Sequence, residues 1–479
     1  MQLNLKHVAV LYFAFLVILA PFIFPDGDSF YYWEWGNHLS LSYLDGPPMI
    51  AYLMRFFCLI FGNTFFAMNI VGIFCAAGIS YFLFQIGRLL RDRETGMLAV
   101  ALWLFFPLVA QALFVRVTYD APESLFWIMT LYGAVRYLGT RQVRFLYWMG
   151  TTAGLLLLSK YTGLIVIAGI LIYFASQRSL RAVFKNPHFY GAMCVAIVIA
   201  SPVLIWNAQH QWVSFGFQFG QHVTAKPMPF AMHLWNILGF LWRLLYCLNL
   251  LLILPFWFWM VRKNSVSGPQ IRYLLITVSA TFIGVWLLAS YSAHAKVNYF
   301  LPLVLTLALL LADDLQGGKA RHLTRALLGI FACISIIMIL SCAIWFAPLI
   351  SYEYPVYLLQ KQLIIEAQRH GQTEIITTGW NSVPRLAFIA KQLNLPEVIL
   401  PRHPCDLNID GTYRYFSGTP LQSGQIKQAL YLNVRFPYPN CITPYFKSCT
   451  PLQGIVYFRR QILTHQPVTV TTYWMSCKG

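Results

Sequence analysis

Two carboxylates are set apart by their surroundings. Asp28 lies in FPDGDSFYYWEWGNHLSLSYLDGPP (24–48) and Asp120 in VRVTYDAPESLFW (115–127), each among apolar or aromatic residues. Ionising a carboxylate withdrawn from water is costly without a partner, and a carboxylate so placed is a candidate general base. The first stretch gathers Asp26, Asp28, Glu34 and Asp45 and has no Lys or Arg; with Asp120 and Glu123, two short segments hold six of the chain's 16 acids. Simple solvation of a loop accounts equally well for Asp26, Glu34 and Asp45. Tyr31, Tyr32, Trp33 and Trp35 read either as an interfacial aromatic belt or as a sugar- or lipid-docking surface.

Four cations, Arg116, Lys160, Arg243 and Lys296, sit near the ends of apolar runs on the side that also carries these acids. Arg243 precedes Arg262 by 19 residues, about 28 Å along a helix, which puts it at the outer interface. Any one of them reads as a snorkelling side chain. Converging, they would hold a lipid-borne phosphate, and that chemistry needs neither the P-loop nor the nucleotide fingerprint that the sequence lacks. The stretch WNAQHQWVSFGFQFGQH (206–222) adds Asn207, His210 and His222. Two histidines twelve residues apart are weak evidence for a metal site, and neither a metal nor a cofactor is expected.

These residues need a frame. With 58% hydrophobic and 10% charged residues among 479, the chain is too apolar for a soluble domain, where about a quarter of residues are charged. Apolar runs sufficient for about 30 Å of hydrocarbon fall at 8–24, 64–86, 95–114, 121–137, 145–159, 161–176, 189–206, 233–261, 273–291, 298–312 and 326–348, predicting about eleven spans. A formal charge of +18 suggests nucleic acid in a soluble protein, but here 16 of the 34 cations fall in alternate loops, around Lys6, Arg91, Arg141, Arg181, Arg272 and Arg321. By the positive-inside rule the N-terminus is cytoplasmic, and an odd number of spans puts residues 349–479 outside. Lys6 and the apolar run after it resemble a signal peptide, but VILAPFIFP offers no small-x-small cleavage site, so an uncleaved anchor is expected. Residues 48–61, amphipathic around Arg55, read as an interfacial helix or as the start of a tilted span.

The chain after residue 348 changes character. TEIITTGW, SVPRLAFIAKQLNLPE, EVILPRH, QALYLNVRF and GIVYFRRQ read as strand, helix and three strands, a small extracytoplasmic α/β or α+β domain. Its four cysteines, Cys405, Cys441, Cys449 and Cys477, fit two disulfides in any of three connectivities; no C-x-x-C supports zinc. The division expected is a membrane domain over 1–348 and an external domain over 349–479.

The runs DSFYYWEWGNHLSLSYLDGPPMIAYLMR, TYDAPESLFW, LLSKYTG and SPVLIWNAQHQWVSF, in that order, resemble the bacterial branch of the dolichyl-phosphate-mannose protein mannosyltransferase superfamily (glycosyltransferase family 39) and the aminoarabinose transferases of lipid A. The resemblance covers most of residues 1–310. Ser29 stands where the family usually has Glu, and Gly46 where it usually has His. The resemblance implies a polytopic helical GT-C fold in the bacterial inner membrane and an inverting transfer of sugar from a polyprenyl-phosphate donor, such as undecaprenyl phosphate, to a periplasmic lipid, glycan or protein acceptor. It makes Asp28 the base and gives Asp120 a part in orienting acceptor or sugar. Lys160 matches the family's lysine for donor phosphate; Arg243, with Arg116 and Lys296, joins it by position only. Tyr31, Tyr32, Trp33, Asp45, Asn207 and His210 are left to the substrate and its headgroup. Membrane lipids are the other expected partners, and nucleic acid is not. A polyprenyl-lipid flippase or transporter is the rival, but those fold around paired repeats and midplane charges, whereas the ionisable residues here gather at one face.

Overall fold

The computed structural model describes residues 5–222, 229–247, 268–291, 296–315 and 321–341, and beyond them 354, 357–358, 360–362, 364–365, 375–376, 382–395, 428–433, 448–452, 456–460, 467–471 and 473–478. It is mainly helical. The first helices are α1 (Leu5–Leu19), α2 (Gly27–Asn37), α3 (Met49–Phe61), α4 (Phe65–Leu90), α5 (Arg93–Leu104), α6 (Pro107–Val109), α7 (Asp120–Thr140) and α8 (Arg144–Leu157). They are followed by α9 (Leu164–Ser176), α10 (Pro187–Gln209), α11 (Val213–His222), α12 (Phe230–Cys247), α13 (Pro269–Ser290), α14 (Leu301–Asp314) and α15 (Arg321–Ser341). The C-terminal part contributes β1 (Ile375–Ile376), α16 (Ser382–Gln392), β2 (Gln428–Asn433), β3 (Ser448–Leu452), β4 (Val456–Arg460), β5 (Pro467–Thr471) and β6 (Tyr473–Lys478). The predicted strand EVILPRH lies outside the described residues.

The chain divides into two compact units. One comprises Met1–Ile18, Leu41–Ile50 and Ile70–Ile339; the other comprises Leu19–Ser40, Ala51–Asn69 and Leu340–Gly479.

In the first unit, α8 packs on α7 and α10, α9 on α13, and α5 on α14. Small residues set the closest approach: a Cβ on Gly150 would lie 2.2 Å from the Ala192 carbonyl oxygen, and one on Gly154 2.8 Å from that of Ala196. Two glycines four apart on one face of α8 thus let its backbone meet α10, the packing device of helices that lack a hydrophobic driving force in lipid. Among the described residues four helical stretches are long and apolar enough to cross a membrane: Phe65–Leu90, Pro187–Gln209, Pro269–Ser290 and Val297–Asp314. Shorter apolar helices occupy His7–Phe22, Met49–Phe61, Tyr161–Ser176 and Ala332–Ser341.

One expected span is broken. The run 95–114 forms α5 and then Pro107–Val115, bent by 59° at the break. Pro107 has no N–H to give and forces Phe106 out of helical geometry (φ −71°, ψ 126°), so α5 ends and a new helix starts with proline in its first turn. The second piece continues as a π-helix over Ala110–Val115. The Phe105 carbonyl at the break accepts the Ser335 hydroxyl at 2.8 Å, which satisfies a group that lipid could not. The run 233–261 is described only as far as Cys247, within α12.

In the second unit, aromatic side chains form a core. Phe24, Phe30, Phe65, Tyr357 and Phe388 pack with ring centroids 5.2–6.4 Å apart, mostly edge to face or tilted. The stretch after the first apolar run is therefore a helix rather than an irregular loop. Asp26 caps α2 by accepting the Ser29 N–H at 2.9 Å and its hydroxyl at 2.8 Å. Residues 49–61 are a separate helix. Gly62 (φ +70°) ends α3 in a left-handed turn, and the Thr64 hydroxyl accepts the Ala67 N–H to start α4. α3 buries Ala51, Met54, Phe57 and Cys58 and exposes Phe56, Leu59, Ile60 and Phe61. Strand order in the larger sheet is β1-β2-β6-β3, with β1 parallel to β2 and the other pairs antiparallel; β4 and β5 pair separately.

Candidate functional site

Asp120 opens α7, and Glu123 follows three residues later in the same turn, where a helix N-terminus favours negative charge. Both are 1% exposed. The stretch Ser159-Lys160-Tyr161-Thr162 meets them. α8 ends at Leu157; Lys160 takes an extended conformation (φ −163°, ψ 143°), and Tyr161–Gly163 make one 3₁₀ turn before α9. This carries two side chains, from residues two apart, onto two acids three apart. Lys160 Nζ lies 2.5 Å from Asp120 Oδ1 and 3.3 Å from Glu123 Oε2, and the Thr162 hydroxyl donates to Glu123 Oε1.

Asp120 receives two more donors at its second oxygen: the Thr118 hydroxyl at 2.7 Å and Asn298 Nδ2 at 2.6 Å. Asn298 comes from the 3₁₀ turn Val297–Phe300 that leads into α14. The Lys160 ammonium also sits 4.7 Å from the ring centres of both Tyr119 and Tyr299, a cation held between two π-faces. Burial works against the ammonium, but the carboxylates of Asp120 and Glu123, with Tyr119 and Tyr299, more than offset it and raise its pKa well above the ordinary lysine value. Lys160 is therefore a fixed positive charge, and Asp120 accepts three hydrogen bonds on its two oxygens. Of the ammonium's three protons one is donated to Asp120; Glu123 Oε2 lies at ion-pair distance but accepts no hydrogen bond among the described residues.

Around this cluster, Arg116 follows the π-helix and interacts electrostatically with Tyr299, and Lys296 is exposed two residues before Asn298. Arg243 lies half-buried on α12, its Nη1 enclosed and without a hydrogen bond among the described residues. Asn207 is buried and spent on the turn from α10 to α11: its Nδ2 donates to the Val203 carbonyl (2.9 Å) and its Oδ1 accepts the Phe215 N–H (3.4 Å). His210 stacks on Trp206, centroids 4.0 Å apart, with Nδ1 2.7 Å from the Trp206 carbonyl oxygen. His222 lies at the last position of α11. Among the described residues no three His, Cys, Asp or Glu come together as metal ligands.

Asp45 belongs to a tight turn in which Tyr43 and Gly46 exchange backbone hydrogen bonds, and its carbonyl accepts Gln218 Nε2 from α11 at 2.5 Å. Gly46 has φ +153°, a conformation that a side chain disfavours, which gives a backbone reason for glycine there.

In the other unit, Asp28 stands half-buried in the first turn of α2. Tyr31, Tyr32, Trp33 and Trp35 are buried rather than displayed: Trp35 packs against Tyr31 and Tyr32 at 5.3 and 5.0 Å, and Trp33 against Phe388 at 5.0 Å, its Nε1 donating to Asn63 Oδ1 at 3.1 Å. Glu34 is buried as well and bonds within its own helix, to His38 Nε2 at 3.2 Å and Asn37 Nδ2 at 3.3 Å. Cys405 and Cys441 lie outside the described residues, and Cys449 and Cys477 are on β3 and β6.

Glu123, Thr118, Thr162, Tyr119, Tyr299 and Asn298 were not singled out as site residues from the sequence. The spacing of Asp120 and Glu123 at a helix start, set against Lys160 and Thr162 in one short turn, carried a usable signal. Asn298, 178 residues from Asp120, carried none.

Comparison with known proteins bears on the same residues. The family model of dolichyl-phosphate-mannose-protein mannosyltransferases matches residues 45–206, a stretch that includes Asp120, Glu123, Lys160 and Thr162 but neither Asp28 nor Asn298. The lipid A galacturonosyltransferase RgtD of Rhizobium johnstonii is 28% identical over 191 residues, 38% of this chain and 38% of that protein. ArnT from Cupriavidus metallidurans, bound to undecaprenyl phosphate, superposes with a TM-score of 0.68 over 98% of this chain and 97% of ArnT at 12% identity. The apo form of ArnT gives a TM-score of 0.67 over the same shares. The chain thus has the GT-C fold of ArnT, and its sequence is similar to that of membrane glycosyltransferases.

Proposed function

We propose that this protein is an inverting membrane glycosyltransferase that moves a sugar from a polyprenyl-phosphate donor of the undecaprenyl type to an acceptor outside the cytoplasm, a lipid headgroup in the first instance. The observation that carries this reading is the buried Asp120, Glu123 and Lys160 at the head of α7, joined by the half-buried Asn298, in a chain with the fold of an undecaprenyl-phosphate-binding protein. The acceptor class is supported by the lipid A specificity in the name of the curated relative.

The chemistry asks for little more than these groups provide. The acceptor hydroxyl attacks C1 of the sugar from the face opposite the phosphate, the C1–O bond to phosphate breaks, and the lipid phosphate leaves with the electron pair. The acceptor's proton goes to a carboxylate, a role assigned to Asp28 by its motif. Lys160, a positive charge, offers a proton not given to Asp120 to a phosphate oxygen, with Arg116, Lys296 and Arg243 as further cations for the leaving group. Asp120 keeps Lys160 in place. In this reading about eleven spans cross the inner membrane, the N-terminus is cytoplasmic, and a periplasmic domain occupies 349–479.

The test is transfer of a radiolabelled sugar from a polyprenyl-phosphate carrier to lipid A in proteoliposomes of the purified chain. Loss of label from the carrier that requires both protein and acceptor supports the reading. A folded protein that binds the carrier and moves it between leaflets without releasing sugar contradicts it.

A further inference from the structure

The sequence leaves three ways to pair Cys405, Cys441, Cys449 and Cys477. The register of the larger sheet separates them. In the antiparallel pairing of β3 with β6, Cys449 is directly opposite Cys477, between the pairs Ser448–Lys478 and Thr450–Ser476. Residues directly opposed on antiparallel strands share a face, with Cα atoms about 4.5–5.5 Å apart, inside the roughly 4.4–6.8 Å that a disulfide spans. We infer that Cys449 and Cys477 form a cross-strand disulfide.

The place of this bond in the sheet gives it a purpose. Among the described residues β3 pairs with β6 and with no other strand, and its Pro451, opposite Met475, cannot donate to the ladder. A bond between the two strands fastens β3 to β6, which β2 holds from its other side, and closes a loop of 27 intervening residues that holds the separate β4–β5 hairpin. Its formation is a thiol–disulfide exchange with a disulfide donor, either the disulfide of a thiol oxidase or oxidised glutathione. One cysteine thiolate attacks the donor to give a mixed disulfide, and the second displaces it. The two cysteines lose two electrons, and the donor is reduced to two thiols that take up the protons.

Trypsin separates all four cysteines, Cys405 into 403–414, Cys441 into 436–447, Cys449 into 448–459 and Cys477 into 461–478. The full-length protein in detergent is treated with oxidised glutathione, alkylated, digested without reduction and analysed by mass spectrometry. The expected product is peptide 448–459 joined to 461–478 and released by dithiothreitol. Titration of thiols in denatured protein gives an independent reading: Cys449→Ser and Cys477→Ser each expose one additional thiol, and the double variant exposes none beyond the wild type. Linkage of either peptide to 403–414 or 436–447, or recovery of both Cys449 and Cys477 as alkylated thiols after oxidation, overturns the pairing. Because the oxidant is supplied in vitro, this result does not depend on which side of the membrane the tail occupies; the same digest on protein alkylated in intact cells reports that separately.

Discussion

Two stretches begin a helix with acids, and they use them differently. At the head of α7, Asp120 and Glu123 meet a cation from 40 residues away and are pinned by it, by two threonines and by Asn298. At the head of α2 no Lys or Arg lies anywhere in residues 24–48, and the acids are used locally: Asp26 caps the helix and Glu34 bonds to the next turn. The carboxylates of α7 hold a buried ammonium in place and so belong to the electrostatic frame of the site; the base is assigned to Asp28 by its motif.

The contrast breaks first at Lys160. Replacing it with Met leaves two carboxylates buried without their cation, and stability should fall by about 3–5 kcal/mol. Donor affinity should fall more than turnover, read as a rise in KM for the polyprenyl carrier. Adding Asp120→Asn to Lys160→Met should restore part of the lost stability, because one uncompensated charge is removed. Unfolding temperature in detergent checks both statements, and a Lys160→Met protein as stable as wild type would remove the pinned-cluster account.

Asn298→Leu takes one of three donors from Asp120 and should cost about 1–3 kcal/mol; Asn298→Asp, which adds a like charge at 2.6 Å, should be worse. On the other side of the comparison Asp26→Ala removes a helix cap at about 1 kcal/mol. Glu34→Gln, whose partners lie three and four residues along its own helix, should change stability by about 0.5 kcal/mol or less. Urea or thermal unfolding monitored by helical circular dichroism ranks all four.

What the sequence showed follows from which interactions are local. The apolar runs announce the helices, and QALYLNVRF and GIVYFRRQ coincide with β2 and β4 because strand patterning is written in neighbouring residues. The break at Pro107 was legible in principle from the proline itself but was masked by the apolar run around it. Trp33 and Trp35 read as a surface because aromatics beside an acid suggest an interface; only packing on Phe388 and on Tyr31 and Tyr32 shows them as core. Asp120 and Lys160 stood out through their motifs. Their mutual pairing and the part of Asn298 depend on contacts between distant segments, which no local pattern records.

The most direct test sets the two helix heads side by side in one assay, sugar transfer from a polyprenyl-phosphate donor by Asp28→Asn and Asp120→Asn with folded protein quantified for each. Asp28→Asn should lose roughly 10²- to 10⁴-fold in turnover and unfold at the wild-type temperature, whereas Asp120→Asn should lose both transfer and stability. An Asp28→Asn protein that transfers at the wild-type rate would contradict the account.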